Sequence, residues 1–151
     1  MDVFAGTCRS TGVIVGGCIE VLEFMKSTAY WPDEAFWNDK VLFFETSEDK
    51  PSPMQVGYML RNYGMQGIFS KIKGVIFGRA KDYSDEEKIE LNKIIIDIIK
   101  GEFGAEHIPI VVDVDFGHTD PKLILPLGGK IELIPAKNDL ILLENPFAER
   151  L

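Results

Sequence analysis

Two short, continuous runs of apolar residues constrain the fold of this chain more than any other feature. Lys40–Glu45 reads KVLFFE, and Gly74–Gly78 reads GVIFG. Apolar and polar residues do not alternate in either run, which is the pattern of strands that are buried on both faces. Residues 109–112 read PIVV and repeat this pattern. The sequence therefore predicts an α/β fold whose central strands lie inside a covered sheet.

Segments with helical periodicity separate these runs. Ser52 and Pro53 form a typical helix start, with serine as the N-cap and proline at the first helical position. Ser84 and Glu87 have the spacing of a capping box, in which each side chain satisfies a backbone N–H of the other residue. The second helix is predicted to end at Gly101.

Shorter β-like runs lie near both ends of the chain. Residues 13–15 form one run, and a helix is predicted over residues 18–26. Three more runs follow at residues 123–125, 130–134 and 140–143. Strands and helices thus alternate first and a β-rich end follows, which predicts an α/β sheet with an added β layer.

Composition excludes some classes of function. The chain has 151 residues, which suits one domain, and a formal net charge of −8 from 24 acidic and 16 basic side chains. This balance argues against a nucleic-acid partner, because phosphate binding needs a basic face. Neither a signal peptide nor a run long enough to span a bilayer is found, so we expect a cytoplasmic protein that binds no membrane.

Two polar residues follow apolar strands and could do chemistry. Glu45 ends the first run, and His118 lies in a Gly-His turn after the third. Sites collect at the carboxyl ends of strands in α/β proteins, and a carboxylate can orient an imidazole that acts as a general base. The alternative is that Glu45 is a solvated strand end and His118 a structural hydrogen-bonding residue.

Two further hypotheses involve the same part of the sequence. Asp113, Asp115, His118 and Asp120 are close enough in sequence to hold a divalent metal, or they form only a polar turn. Cys18 follows a diglycine at a predicted helix start, where the helix dipole can lower a thiol pKa. Cys18 is therefore a conceivable nucleophile, although packing is the commoner role for such a cysteine.

Several segments, taken in order, resemble the carboxy-terminal domain of the serine LD-carboxypeptidase family, which includes the microcin C immunity hydrolases. They are GGCIEVL at 16–22, YWPD at 30–33, VLFFE at 41–45, GVIFGR at 74–79, DFGHTDP at 115–121 and LPLG at 125–128. The resemblance implies a layered β/β/α domain of the swivelling type, the C-terminal domain of a two-domain enzyme. It makes residues 13–151 that domain and residues 1–12 a remnant of the interdomain segment.

The resemblance also implies site residues. The family uses a Ser-Glu-His triad, which gives Glu45 as the orienting acid and His118 as the general base. Gly17 and Cys18 match positions in the substrate pocket, although many members have asparagine in place of Cys18. The serine lies in the family's amino-terminal domain, which nothing in this chain matches, and the chain's six serines stand in other contexts.

The expected function follows from this resemblance. It implies cleavage of a terminal amide bond in murein-type peptides, as in cell-wall recycling, or in microcin C-like peptidyl nucleotides. No cofactor or metal is expected, and the chain is expected to be nearly inactive without the nucleophile domain. An uncovered apolar interface predicts self-association, such as a homodimer. The alternatives are a non-catalytic binding or subunit-like domain and, third, a metal-dependent hydrolase.

Overall fold

The computed structural model describes residues 2–6 and 8–144, with residues 2–5 described by their backbone alone. Within these residues, the strands are β1 (Asp2–Ala5), β2 (Ser10–Cys18), β3 (Lys40–Glu45), β4 (Gly74–Gly78), β5 (Ile110–Val114), β6 (Lys130–Ile134) and β7 (Asp139–Leu142). They form one sheet in the order β1-β5-β4-β3-β2-β6-β7. The three apolar runs of the sequence are thus three adjacent strands in the middle of the sheet.

In the described part of the chain, the α-helices that connect the strands are α1 (Ile19–Met25), α2 (Pro53–Met65) and α3 (Asp85–Ile96). Ser52 caps α2 in a complete capping box with Gln55, and Ser84 caps α3 in the predicted box with Glu87. A π-helical turn, Asp97–Glu102, continues α3 past the predicted end at Gly101. The serine caps therefore fix where the two long helices begin.

Parallel pairing of the central strands decides where a site can form. β2, β3, β4 and β5 run parallel to one another, whereas β1 pairs antiparallel with β5, and β6 pairs antiparallel with both β2 and β7. The carboxyl ends of the four parallel strands consequently meet at one edge of the sheet. This arrangement confirms the predicted α/β class.

The long strand β2 joins two layers of the fold. Its first half, residues 10–13, pairs with β6, and its second half, residues 13–18, pairs with β3. β6 also lies against the face of the sheet, because a Cβ on Gly74 in β4 would stand 2.6 Å from Leu133 Cδ1. The β6–β7 hairpin therefore covers the face opposite the helices, which confirms the layered β/β/α prediction.

Two apolar cores fill the space between these layers. The core on the helix side includes Phe44, Tyr63 and Ile95, each at most 1% exposed. The second core includes Ile14 and Leu133, both fully buried. Burying each such side chain stabilises the fold by about 1.5–3 kcal/mol. Both faces of β3, the strand that ends in Glu45, are therefore packed against an apolar core.

The structure corrects one predicted strand and extends another. Residues 123–125 form a loop and not a strand: Leu123 is 57% and Ile124 85% exposed, and the Leu123 backbone N–H donates to the carbonyl of Asp115 rather than to a neighbouring strand. The β2 strand begins at Ser10, three residues before the predicted run. No helix in the described ranges is both long and apolar enough to cross a membrane.

Candidate functional site

The candidate site lies at the edge where the parallel strands end. Glu45 is the last residue of β3, and Cys18, the last residue of β2, is its partner across the two strands. Gly17 pairs with Phe44 one position earlier. β5 ends at Val114 and leads into the turn that carries His118. The topology thus brings all four predicted site residues to the same edge.

The turn that carries His118 crosses over the end of β4 to reach β3. Gly78, the last residue of β4, leaves room for this crossing, because a Cβ there would stand 2.8 Å from the Phe116 carbonyl oxygen. The Phe116 ring then packs edge-on against Phe43 of β3, with centroids 5.6 Å apart. The crossing places His118 directly above Glu45.

His118 and Glu45 form a close pair. Nδ1 of His118 lies 2.6 Å from Oε2 of Glu45, and Nδ1–H is the donor because an ionised carboxylate only accepts. The Glu45 side chain is 12% exposed, whereas the His118 side chain is 37% exposed. A largely buried carboxylate therefore fixes the ring and its tautomer, while the imidazole stays accessible from outside.

A second carboxylate contacts the other ring nitrogen. Oε2 of Glu48 lies 3.0 Å from Nε2 of His118, and the Glu48 side chain is 63% exposed. A neutral imidazole carries only one N–H, so both contacts are hydrogen bonds only when the ring is protonated. The pKa of Glu48 is held below its usual range by a hydrogen bond from its own backbone and by the nearby His118.

Gly117 is required for the contact between His118 and Glu45. Its φ is +93°, and an added Cβ would stand 2.4 Å from Glu45 Oε2 and 2.9 Å from Glu45 Cβ. We expect Gly117→Ala to cost about 1–3 kcal/mol in strain and to push the imidazole away from Glu45. Proton NMR checks this prediction, because a hydrogen-bonded Nδ1–H gives a resonance far downfield that the variant should lose.

Gly101→Ala is the matched control for this substitution. Nothing lies within 4 Å of a Cβ added at Gly101, so this variant should keep the resonance. The chain has two histidines, and the other, His107, is exposed; His118→Ala therefore assigns the signal. An unchanged resonance in Gly117→Ala would contradict the close packing of the turn on Glu45.

Cys18 belongs to a hydrogen-bond network behind the pair. Its thiol donates to Glu20 Oε2 at 3.1 Å, and Glu20 Oε1 accepts from both the backbone N–H and the hydroxyl of Ser47. Burial, followed by the hydrogen bond to Glu20, raises the pKa of Cys18 to about 11. This environment keeps the thiol protonated and opposes the hypothesis that Cys18 is an activated nucleophile.

Alkylation kinetics test the state of Cys18. A thiol with a pKa raised from 9.0 to about 11 holds about 100-fold less thiolate at pH 8, and the thiolate is the reactive species. We expect Cys18 to react with iodoacetamide about 100-fold more slowly than an ordinary thiol, and Glu20→Gln to speed the reaction. Mass spectrometry follows both cysteines, with exposed Cys8 as the internal reference; equal rates would contradict this environment.

The residues of the metal hypothesis do not assemble. Asp115 pairs with Arg79, Asp113 lies 3.5 Å from the amide of Asn92, and His118 is paired with glutamates. Within residues 2–6 and 8–144, no group of three or more His, Cys, Asp or Glu side chains could hold a metal ion. The Asp120 carboxylate lies 3.5 Å from Lys122 Nζ, so the three aspartates and His118 direct their side chains to different partners.

Two charged residues at the site were not predicted from the sequence to have a role there. Glu48 lies in the charged segment ETSEDK, residues 45–50, where its spacing of three residues from Glu45 is the only local signal. Arg79 contacts the turn that carries His118, at Asp115, Asp120 and Pro121. These contacts join residues more than 30 positions apart, which local patterns do not report.

Comparisons with known proteins identify the family. The sequence profile of the LD-carboxypeptidase C-terminal domain matches residues 11–133. A protein of Treponema pallidum that is named a carboxypeptidase is 30% identical over 122 residues, which cover 81% of this chain and 34% of that protein. The microcin C7 self-immunity protein MccF of Escherichia coli is 24% identical over 131 residues, which cover 86% of this chain and 36% of MccF.

A solved structure shows the same architecture. The MccF-like protein from Streptococcus pneumoniae, determined in complex with AMP, superposes with a TM-score of 0.78 at 29% identity and covers 93% of this chain and 43% of its own. The present chain thus spans about a third of the length of the curated relatives it matches. By the extent of the profile match and by its fold, this chain belongs to the LD-carboxypeptidase C-terminal domain family.

Proposed function

We propose that this chain supplies the orienting acid and the general base of a serine hydrolase site, namely Glu45 and His118. The observation that carries the proposal is the 2.6 Å contact between His118 Nδ1 and Glu45 Oε2 at the carboxyl edge of the sheet. The contact lies where α/β proteins place their sites, and it leaves Nε2 on the outer side of the ring. Nε2 is the atom that would exchange protons with a nucleophile.

The proposed reaction has two stages. Nε2 of His118 takes the proton of a serine hydroxyl as the oxygen attacks the carbonyl carbon of the substrate, and the protonated ring then gives this proton to the leaving amine. An acyl-enzyme results, and water hydrolyses it with His118 again acting as base. Throughout both stages, the Glu45 carboxylate holds the Nδ1–H tautomer and stabilises the imidazolium.

The serine would come from the region of the relatives that this chain does not span. That region makes up more than half of the Streptococcus pneumoniae protein, since the match covers 43% of it. Apolar side chains in the loop that follows the His118 turn fit such a partner: Leu123, Ile124 and Leu127 are 57%, 85% and 68% exposed. We propose that the nucleophile domain packs on this loop, because contiguous exposed apolar surface normally marks an interface.

The substrate class is a terminal amide bond. The carboxypeptidase name of the Treponema pallidum relative supports a peptide with a free terminal residue, of the murein type. The microcin self-immunity relative, and the AMP bound to the Streptococcus pneumoniae protein, support a peptidyl nucleotide instead. Gly17 and Cys18 lie beside Glu45 and would line the pocket for either substrate.

A mixing assay tests the proposal. The chain is mixed with a separately produced amino-terminal domain of a relative, and release of D-alanine from a murein tetrapeptide or of nucleotide from a peptidyl nucleotide is measured. We expect turnover only when both parts are present, because neither part alone holds a nucleophile together with its base. Hydrolysis by the chain alone that survives His118→Ala would contradict the proposal. Association without hydrolysis of either substrate would favour a domain that only binds.

A further inference from the structure

Arg79 ties together the two ends of the turn that carries His118. This residue directly follows β4, the strand that the turn crosses, and its backbone N–H donates to the Val114 carbonyl at 3.0 Å. Its side chain then reaches the first residue of the turn: Nε of Arg79 lies 2.7 Å from Asp115 Oδ1, an ion pair. The start of the turn is thus fixed to the middle of the sheet.

The same guanidinium reaches the far end of the turn. Nη2 of Arg79 donates to the Asp120 carbonyl at 3.3 Å and to the Pro121 carbonyl at 3.2 Å. A guanidinium holds its N–H donors in one rigid plane, so it can contact several acceptors in a fixed relative arrangement. A lysine, with a single nitrogen on a flexible stem, could not make these contacts together.

His118 lies midway between the two ends of the turn that Arg79 contacts. Its side chain contacts Glu45 and Glu48, and both contacts depend on the path of the backbone from Asp115 to Pro121. A catalytic imidazole must be held to well within 1 Å of its working position, because a 1 Å displacement can cost about 100-fold in rate. Arg79 is therefore placed to set the distance between His118 and Glu45 without touching either residue.

We infer that Arg79 is a positioning residue for His118, an inference that rests on the proposed function of His118 as a base. In the enzyme completed by a nucleophile domain, Arg79→Gln should lower kcat about 10- to 100-fold. KM should change much less, because Arg79 contacts the two ends of the turn and would act on the reaction only through His118. Arg79→Lys keeps the charge and can pair with Asp115 alone, so its activity should lie between those of the wild type and Arg79→Gln.

NMR of the chain alone tests this inference without any activity. The hydrogen-bonded Nδ1–H resonance of His118 should be present in the wild type and lost or broadened in Arg79→Gln. Arg61→Gln is the matched control, because Arg61 forms a comparable two-nitrogen pair with Glu102 on the helices and has similar exposure. This control should keep the resonance, whereas Asp115→Asn, which removes the ion pair with Arg79, should broaden it.

The outcomes distinguish a failure of the inference on Arg79 from a failure of the proposed His118–Glu45 pair. A resonance that is unchanged in both Arg79→Gln and Asp115→Asn would overturn the role of Arg79 while leaving His118 and Glu45 as the proposed pair. A wild-type chain without the resonance would instead contradict the pair itself. Thermal unfolding is recorded for every variant to verify that it folds. If Arg79→Gln does not fold, Arg79→Lys is compared with the wild type instead. A resonance and a kcat that are both unchanged in Arg79→Lys would then overturn the inference.

Discussion

Replacing Glu45 by glutamine in the enzyme completed by a nucleophile domain is expected to lower kcat by about 10³–10⁴-fold, the scale of losing a buried orienting carboxylate. The amide no longer stabilises the imidazolium, and it can present its NH₂ to Nδ1 and so favour the wrong tautomer. The Glu45 side chain is 12% exposed, so solvent cannot replace its charge. His118→Ala should lose at least as much.

Glu48→Gln is the matched control, because it alters the second carboxylate on the same imidazole. Glu48 is 63% exposed and lies on Nε2, the side from which a nucleophile must approach. Solvent screens such an exposed ion pair, so kcat should change by no more than about fivefold. Steady-state kinetics at several pH values measure both variants; equal losses for Glu45→Gln and Glu48→Gln would contradict the assignment of Glu45.

The largest expected effect on stability is that of Gly16→Ala. An added Cβ would stand 1.9 Å from the Phe43 carbonyl oxygen and 2.8 Å from its carbonyl carbon. Both atoms belong to the backbone of β3 and cannot rotate away, so β2 and β3 must separate where the sheet is buried. We expect a loss of about 3–5 kcal/mol in the free energy of unfolding, combining overpacking with strain at a φ of +148°.

Gly17→Ala separates the two causes of this loss. Gly17 has a similar φ of +158°, but nothing lies within 4 Å of an added Cβ. Its cost should therefore be the backbone strain alone, about 1–2 kcal/mol. Denaturant unfolding of both variants provides the comparison. If Gly16→Ala is no less stable than Gly17→Ala, the close approach of β2 to β3 at the diglycine is wrong.

The sequence predicted the parts of the fold that depend on local chemistry. β3 and β4 were predicted at their exact bounds, because a strand that is buried on both faces has to be apolar throughout. The starts of α2 and α3 followed from their serine caps. These signals need only a few adjacent residues, which is why they can be read without a structure.

Predictions that depended on distant partners were less complete. Residues 123–125 have β-forming side chains but run between Pro121 and Pro126, where their backbone bonds the His118 turn instead of a strand. The first residues of β2 pair with β6, some 120 positions away, and contain a glycine, so no local pattern marked them. Tertiary pairing decided both cases.

The candidate site divides in the same way. The strand-end positions of Glu45 and His118 suggested a base and its orienting acid, and the resemblance to the family implied the same partnership across 73 positions. The contact of Glu48 with His118 Nε2 and the contacts of Arg79 with the turn could not be predicted from the sequence, because both depend on how the turn crosses β4. Whether Gly17 and Cys18 bind substrate remains a prediction, made more specific by their position beside Glu45.

Labelling with a fluorophosphonate tests the central claim most directly, because this probe reports an activated serine without knowledge of the natural substrate. A nucleophile domain from a relative is treated alone, with this chain, and with the His118→Ala chain, and complex formation is verified separately. We expect the serine to be labelled only when the unaltered chain is bound. Labelling that is equal with and without the chain, or equal with His118→Ala, would contradict the proposal that His118 and Glu45 activate the serine.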